Sequence, residues 1–470
     1  IDEQTELLNE RGCDNKELIK HVKEQSLLFT KDMSLYLGME YDGKHFEELW
    51  DLGYLPIKVK ALPEGVETLP NIPHMTFVNT VDGFAWLTLY LETIVSSLAW
   101  KPSTAATIAK LYRRQAEEWV SKTDSKNLWL VDYMCHDFSA RGLNPHDMIA
   151  SGLGHATSFR GSDTLAVIPA ARYFYNEPSN EVCINSVNAS EHSVSTTKIF
   201  TVGEQQMITD WLQLFPKGIL SIVADTFDLW KLITEYLPAN KEAIMARDGK
   251  LVIRPDSGDP VDIICGSFLE EDKKYNPLDT IFTSEERGVI ELLWDIFGGT
   301  INEQGYKVLD SHIGAIYGDS ITPERQVQIY ERLAAKGFAA TNIILGVGSF
   351  TYQYNTRDTL GFAAKGAWFE VDENRDALGH WMSAINYEPK KIAYNIYKDP
   401  VTDDGVKRSL KGLLQVKLIN DEYIVNQECS WEQEEDSELK TIYENGIFKN
   451  LTTLQNIRNN LNIIKTQNDS

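Results

Sequence analysis

Four short apolar runs in the middle of this chain each end in residues able to do chemistry. Residues 219–224 deliver Asp225, 251–253 deliver Arg254-Pro255-Asp256, 313–317 deliver Gly318-Asp319, and 342–345 deliver Gly346-Val347-Gly348-Ser349. Backbone N–H groups in a GVGS turn that opens a helix suit a phosphate. Arg357 and Lys365, further along, supply cations for a second anionic group. Asp225, Asp256 and Asp319 suit ribose hydroxyls or a magnesium ion, held directly or through water. The residue types together describe a sugar carrying phosphates. Each also has a plainer explanation: an ordinary turn for the glycines, a structural ion pair for Arg254 and Asp256, helix caps for the other aspartates. Recurrence at four successive strand ends favours the chemical reading.

Three earlier segments add candidates. HDFSARG (136–142) places an aromatic, Phe138, and a cation, Arg141, three residues apart. SFRGSDT (158–164) puts Asp163 after a glycine turn, and SEHS (190–193) sets His192 beside Glu191. On residue type alone, Phe138 also reads as core and His192 as an ordinary loop or core histidine.

The elements that must position these groups follow from periodicity. VCINSV, ILSIVAD, KLVIRPD, HIGAIYGD and NIILGVG are short runs rich in β-branched residues, separated by helical stretches. Several begin about 30 residues apart, the length of one strand plus its crossover helix. The strand ends of such a parallel sheet share one rim, so residues distant in sequence converge there. A polar stretch, EEDKKYNPLDTIFTSEERG, interrupts the rhythm as a surface excursion.

At the front, residues 1–50 read as charged helix. LPIKVKALPEGVETLP and HMTFVNT read as strands broken by turns, and Trp86 to Trp119 as one or two long amphipathic helices. After GAWFEVD the chain returns to turns and strands, then ends in a polar helix from about Leu451. The expected fold is α/β: an irregular TIM-like barrel over 136–380, flanked by a mixed sheet and helical domain built from 1–135 and 381–470.

Bulk properties narrow the function classes. Against 45 basic residues stand 69 acidic ones, a formal charge of −24, which excludes long-range attraction to nucleic acid or an anionic membrane. Cys13, Cys135, Cys183, Cys265 and Cys429 are widely spaced, without zinc-like clustering, so free thiols in a reducing cytoplasm are expected. No apolar run approaches the roughly 18 residues of a membrane span. The chain begins at Ile1 rather than methionine, so a natural start further upstream is expected.

Taken in order, the motifs resemble those of the nicotinamide phosphoribosyltransferase family, type II phosphoribosyltransferases. The resemblance runs from about Asp51 to Asn450 through DLGYLPIKVKALPEG, WLTLYLETI, HDFSARG, FRGSDT, SEHS, SIVADTFD, LVIRPDSGDP, YGDSI, LGVGS and NIYKDPVTDDGVKRSLKG. It implies condensation of nicotinamide with phosphoribosyl pyrophosphate, giving nicotinamide mononucleotide and diphosphate, with Mg2+ carried by the diphosphate and ATP as a coupling substrate. It also implies a homodimer with active sites at the subunit interface.

Carried over position by position, Phe138 resembles the aromatic that stacks on the pyridine ring. Asp163 resembles the aspartate that accepts from the carboxamide NH2, a placement that would set like charges together if nicotinate were bound. Arg141, Arg254, Arg357 and Lys365 match positions at the diphosphate or nucleotide, and Asp256, Gly318 and Asp319 match positions near the ribose. Gly348 and Ser349 match the pair receiving the 5′-phosphate, although GVGSF here replaces a run of glycines. His192 matches the histidine phosphorylated by ATP, with Ser190 in place of an alanine. Lys398 and Lys407 resemble lysines supplied across the dimer. The family's leading segment, with a tyrosine that completes the aromatic sandwich, has no counterpart before Asp51.

Competing readings are a nicotinate phosphoribosyltransferase, which should lack an acid at the ring pocket, and a non-catalytic nucleotide sensor. A glycosidase leaves the phosphate-type loop and the arginines unexplained.

Overall fold

The computed structural model describes residues 15–267, 282–372, 391–402 and 408–461. Two compact units make up the chain: Ile1–Ser97 with Gly361–Thr452, and Leu98–Leu360 with Thr453–Ser470.

The second unit holds the parallel sheet. Its strands are β1 (Cys135–Asp137), β2 (Asn188–Ala189), β3 (Leu220–Val223), β4 (Leu251–Arg254), β5 (Ile313–Tyr317) and β6 (Ile343–Val347). They lie in the order β1-β6-β5-β4-β3-β2, every pair parallel. Single bridges from Asp137 to Ser162 and from Gly161 to Asn185 carry the ladder from β1 back toward β2. The sheet is therefore a curled, irregular barrel with one side made of isolated bridges. β3, β4 and β5 are buried at every position, as expected of strands covered on both faces.

Helices named below are α1 (Trp86–Thr123), α2 (Pro145–Ala156), α3 (His192–Val202), α4 (Ser349–Gln353) and α5 (Leu454–Asn460). α1 is a single helix of 38 residues that runs through the division at Ser97/Leu98. Beyond that point its buried stripe, Ala105, Ala109, Tyr112, Ala116 and Val120, packs into the barrel core. The spacing of 4, 3, 4 and 4 residues is one helical face. Small residues let backbones approach: a side-chain carbon on Gly154 of α2 would stand 2.7 Å from Ala105 Cβ.

Three placements differ from the sequence reading, the first being residues 361–372, expected in the barrel but part of the first unit. The segment 98–135, expected in the flanking domain, belongs to the barrel unit because its apolar face is core there. The terminal helix α5 joins the same unit, burying Leu454 and Ile457 against Leu153, Ala171 and Ile184. That second cluster also explains why VCINSV is not the expected strand: Cys183 and Ile184 pack in it, and the strand forms instead at Asn188–Ala189.

The first unit is built from two separate stretches of the sequence. Ile57–Ala61, Met75–Asn79, Lys440–Glu444 and Ile447–Phe448 form one four-stranded antiparallel sheet. Cys135, Cys183, Cys265 and Cys429 are free thiols. Among the described residues, no helix is long and apolar enough to cross a membrane.

Candidate active site

The strand ends converge as periodicity predicts. β4 ends in Arg254, whose guanidinium bonds the Asp256 carboxylate two residues later, Nε to Oδ1 at 3.3 Å and Nη2 to Oδ2 at 3.1 Å. The Arg254 Cζ also lies 4.7 Å from the centre of the Phe138 ring, within cation–π range. Arg254 thus links the aromatic platform after β1 to the carboxylate after β4. Phe138 is half-buried, held by its N–H donating to Val347 O at 2.9 Å, and so is not a core residue.

Asp163 is partly exposed and accepts two hydrogen bonds on one oxygen, Oδ1: from His136 Nε2 at 2.9 Å and from the Ser186 hydroxyl at 2.5 Å. Burial alone would raise its pKa, but the His136 bond and charge, Ser186 and Arg254 outweigh it and hold the carboxyl below the ordinary range. His136 packs at 4.8 Å from Phe138, ring to ring.

Asp225, after β3, is almost fully buried. Its Oδ2 accepts from the N–H groups of Asp256 and Ser257, at 2.9 and 2.8 Å, and from the Ser257 hydroxyl at 2.6 Å. Its Oδ1 lies buried without a hydrogen-bond partner, 3.4 Å from His192 Nε2. Burial pushes its pKa up, but the Ser257 hydroxyl, the loop N–H groups and His192 pull it below the usual value. Asp256 goes the other way: burial, aided by the Asp225 charge, raises its pKa despite Arg254. His192, the first residue of α3, is close to both acids, with Nδ1 3.8 Å from Asp256 Oδ2. Arg141 is bound through Nη2 to Glu191 at 2.8 Å, which raises its pKa.

Glycines set the closeness of the rim. A side-chain carbon on Gly318 would fall 2.0 Å from Asp256 Oδ1, and one on Gly346 would fall 2.6 Å from the Phe138 ring. Gly348 caps the short helix α4 with φ −85° and ψ 180°, backbone open to any residue. Ser349 opens α4 and likewise needs no left-handed conformation, which explains why serine is accepted where the family pattern has glycine. Its hydroxyl lies 2.2 Å from where a Gly142 side chain would begin, so the Arg141 turn and the GVGS loop are in contact. Asp319 Oδ1 lies beside Gly348, 3.8 Å from a side-chain carbon built there, and its Oδ2 accepts from Ser320 Oγ at 2.9 Å.

Of the sequence candidates, Phe138, Asp163, His192, Asp225, Arg254, Asp256 and Gly318 join one contact network, while Arg141, Asp319, Gly348 and Ser349 line neighbouring loops of the same rim. Arg357 sits in an exposed turn of the same unit, paired with Asp358 at 3.1 Å. Lys365 and Lys398 belong to the other unit, and both are exposed. Lys407 lies outside the described residues.

Sequence reasoning missed His136, Ser186 and Ser257. His136 lies in the HDFSARG run, but strand alternation does not mark it, because β1 ends at Asp137 and Phe138 already lies beyond the strand. Nothing local marks Ser186 or Ser257 apart from other loop serines. Among the described residues no group of three or more His, Cys, Asp or Glu is arranged to hold a metal ion by itself.

A parallel barrel whose carboxyl rim gathers cations, carboxylates and glycine loops defines an α/β-barrel protein with a charged rim. The nicotinate phosphoribosyltransferase (NAPRTase) family model matches residues 133–447. The nicotinamide phosphoribosyltransferase of Acinetobacter baylyi is 41% identical over 431 residues, 89% of this chain and 78% of that protein. That of Xanthomonas campestris pv. campestris is 31% identical over 418 residues, 86% and 79% of the two chains. The crystal structure of nicotinate-nucleotide pyrophosphorylase from Pyrococcus furiosus matches with a TM-score of 0.48 at 16% identity, over 88% of this chain and 82% of that one. This chain belongs to the nicotinate phosphoribosyltransferase (NAPRTase) family.

Proposed function

We propose that this chain is a nicotinamide phosphoribosyltransferase of NAD salvage, condensing nicotinamide with phosphoribosyl pyrophosphate to nicotinamide mononucleotide and diphosphate. Relatives named as nicotinamide phosphoribosyltransferases support the reaction. The observation that carries the choice of base is Asp163: His136 and Ser186 occupy Oδ1, which leaves an anionic oxygen to accept from a carboxamide NH2. A nicotinate carboxylate would meet that charge with its own and lose the hydrogen bond.

In this reading the base lies against Phe138, oriented by Asp163. The bond from ribose C1 to the diphosphate loosens, leaving an oxocarbenium-like sugar. The pyridine nitrogen attacks from the opposite face with a lone pair that is already free, so no general base is needed. The protein contributes position and charge. Arg254, Arg141 and Arg357 balance the departing diphosphate, with Arg141 exchanging Glu191 for it. Gly348 and Ser349 receive the 5′-phosphate through their N–H groups, and Gly318 and Asp319 border the ribose.

A bound Mg2+ would supply positive charge against the leaving diphosphate. Asp225 fits a role near it, because its Oδ1 is buried and unpartnered, with Asp256 and Asp319 acting through water. His192 is the proposed phosphoryl acceptor from ATP: its ring nitrogen takes the γ-phosphoryl group and ADP leaves. Asp225 and Asp256 flank both ring nitrogens and orient it. The working unit is a homodimer in the cytoplasm, with Lys398 and Lys407 reaching the partner's site.

Purified protein with nicotinamide, phosphoribosyl pyrophosphate and Mg2+, with and without ATP, should release diphosphate, and ATP should raise the yield. Asp163→Ser should cut the ratio of kcat/KM for nicotinamide over nicotinate by about tenfold or more, as expected for a lost charge-assisted hydrogen bond. An unchanged ratio would remove Asp163 from the base pocket.

A further inference from the structure

Tyr112 is the one large residue in the alanine-lined buried stripe of α1, and it is fully enclosed. Its hydroxyl donates to Ile321 O at 2.8 Å and lies 3.2 Å from Thr351 Oγ1. Thr351 Oγ1 in turn donates to the same Ile321 carbonyl at 3.2 Å. Ile321 ends the loop that begins with Gly318-Asp319, and Thr351 is the third residue of α4, which begins at Ser349. Three polar atoms, from α1, from a loop 209 residues further on and from α4 239 residues further on, therefore form one closed triangle beneath the rim. Lys101, about three turns earlier on the same face of α1, adds a hydrogen bond to the carbonyl of Tyr352.

We infer that Tyr112 is a positioning residue that fixes the spacing between the loop assigned to the ribose and the loop assigned to the 5′-phosphate. The inference rests on the function proposed above, in its sugar half only. A helix as short as α4 has little stability of its own, so its place depends on such tertiary ties. Both loops must be set before the ligand arrives if binding is not to spend free energy ordering them. The apolar stripe needs no hydroxyl for packing. A buried hydroxyl persists where it is hydrogen-bonded, and here both its contacts belong to site loops.

The test is Tyr112→Phe in the full chain, with Thr351→Val as a second variant should the first fold poorly. Titration calorimetry with Mg2+ uses two probes, ribose 5-phosphate and inorganic diphosphate. Ribose 5-phosphate should bind about three- to tenfold more weakly in either variant, the loss expected for one hydrogen bond, and diphosphate should bind as to the wild type. In steady state the KM for phosphoribosyl pyrophosphate should rise by a similar factor, while kcat and the KM for nicotinamide hold. Unchanged ribose 5-phosphate affinity, or equal weakening of both probes, overturns the inference. A wild-type chain that gives this binding pattern yet does not turn over nicotinamide upholds the tie and rejects the proposed base.

Discussion

His192 Nε2 stands 3.4 Å from Asp225 Oδ1, the one oxygen of that carboxylate that takes no hydrogen bond from the protein. The other oxygen holds three donors from the Asp256–Ser257 turn. One buried side chain therefore fixes the loop after β4 and orients the imidazole at the start of α3. Asp225→Asn must keep its oxygen on the three donors and turn its NH2 toward the histidine. Nε2 would then have to accept, which reverses the tautomer that the aspartate favours. ATP stimulation of nucleotide synthesis should be largely lost, since tautomer reversal in a hydrogen-bonded histidine–aspartate pair costs about 10^4 in rate. Assays with and without ATP measure it. Full ATP stimulation in this variant would show that Asp225 does not orient His192.

The same carboxylate should leave a mark on acid stability. The folded-state pKa values of Asp225 and Asp163 lie below the ordinary value of 3.8. Each contributes stability that is complete above that value and is lost as pH falls through the depressed pKa, because the unfolded chain takes up the proton first. Asp256, with a raised pKa, has the opposite sign and costs stability as pH rises through its unfolded value. Urea midpoints followed from pH 6 to about 3 should fall more steeply for the wild type than for Asp225→Asn. Parallel curves would remove Asp225 from the acid transition.

Gly318 tests how tightly the rim is drawn. A methyl group there would begin 2.0 Å from Asp256 Oδ1 and 3.0 Å from Arg254 Nε. Neither partner can retreat freely, since Arg254 lies on Phe138 and the Asp256 backbone is held by Asp225. Gly318→Ala should cost about 1–3 kcal/mol in urea unfolding, as overpacking does, while lowering kcat/KM for phosphoribosyl pyrophosphate by about 100-fold. Near-normal activity would mean that the Arg254–Asp256 pair can shift without consequence.

What the sequence revealed of this site, and what it hid, divides along the range of the information. Asp225, Arg254, Asp256 and Asp319 were legible because a buried parallel strand needs a continuous apolar run, and the first polar residue after it marks the rim. His136 was obscured by its own neighbours, since a histidine beside an aspartate and a phenylalanine has several plain uses. The barrel membership of residues 98–123 was not legible. An amphipathic helix announces that one face is buried, never against what. Tyr112 is the extreme case: its partners lie more than 200 residues further on, and only folding brings them within reach.

Arg458 was hidden in the same way, inside what reads as a polar terminal helix. It is buried, and its guanidinium donates to Ala156 O from Nε at 3.0 Å and Nη2 at 2.7 Å, and to Cys183 O from Nη2 at 2.9 Å. Burial, reinforced by the nearby Arg160 charge, pushes its pKa down to about 10, so it is still protonated at neutral pH. It ties α5 to the last turn of α2 and to the segment leading into β2. Arg458→Met keeps much of the volume and removes a costly buried charge, but leaves two buried carbonyls without their donor. Each unsatisfied group costs about 1–3 kcal/mol, so a net loss of about 2–4 kcal/mol in urea unfolding is expected, with the KM for phosphoribosyl pyrophosphate within about twofold of wild type. The opposing effect is real, since replacing buried charges by apolar groups has stabilised other proteins. A more stable variant would show that desolvation of the guanidinium outweighs its three hydrogen bonds.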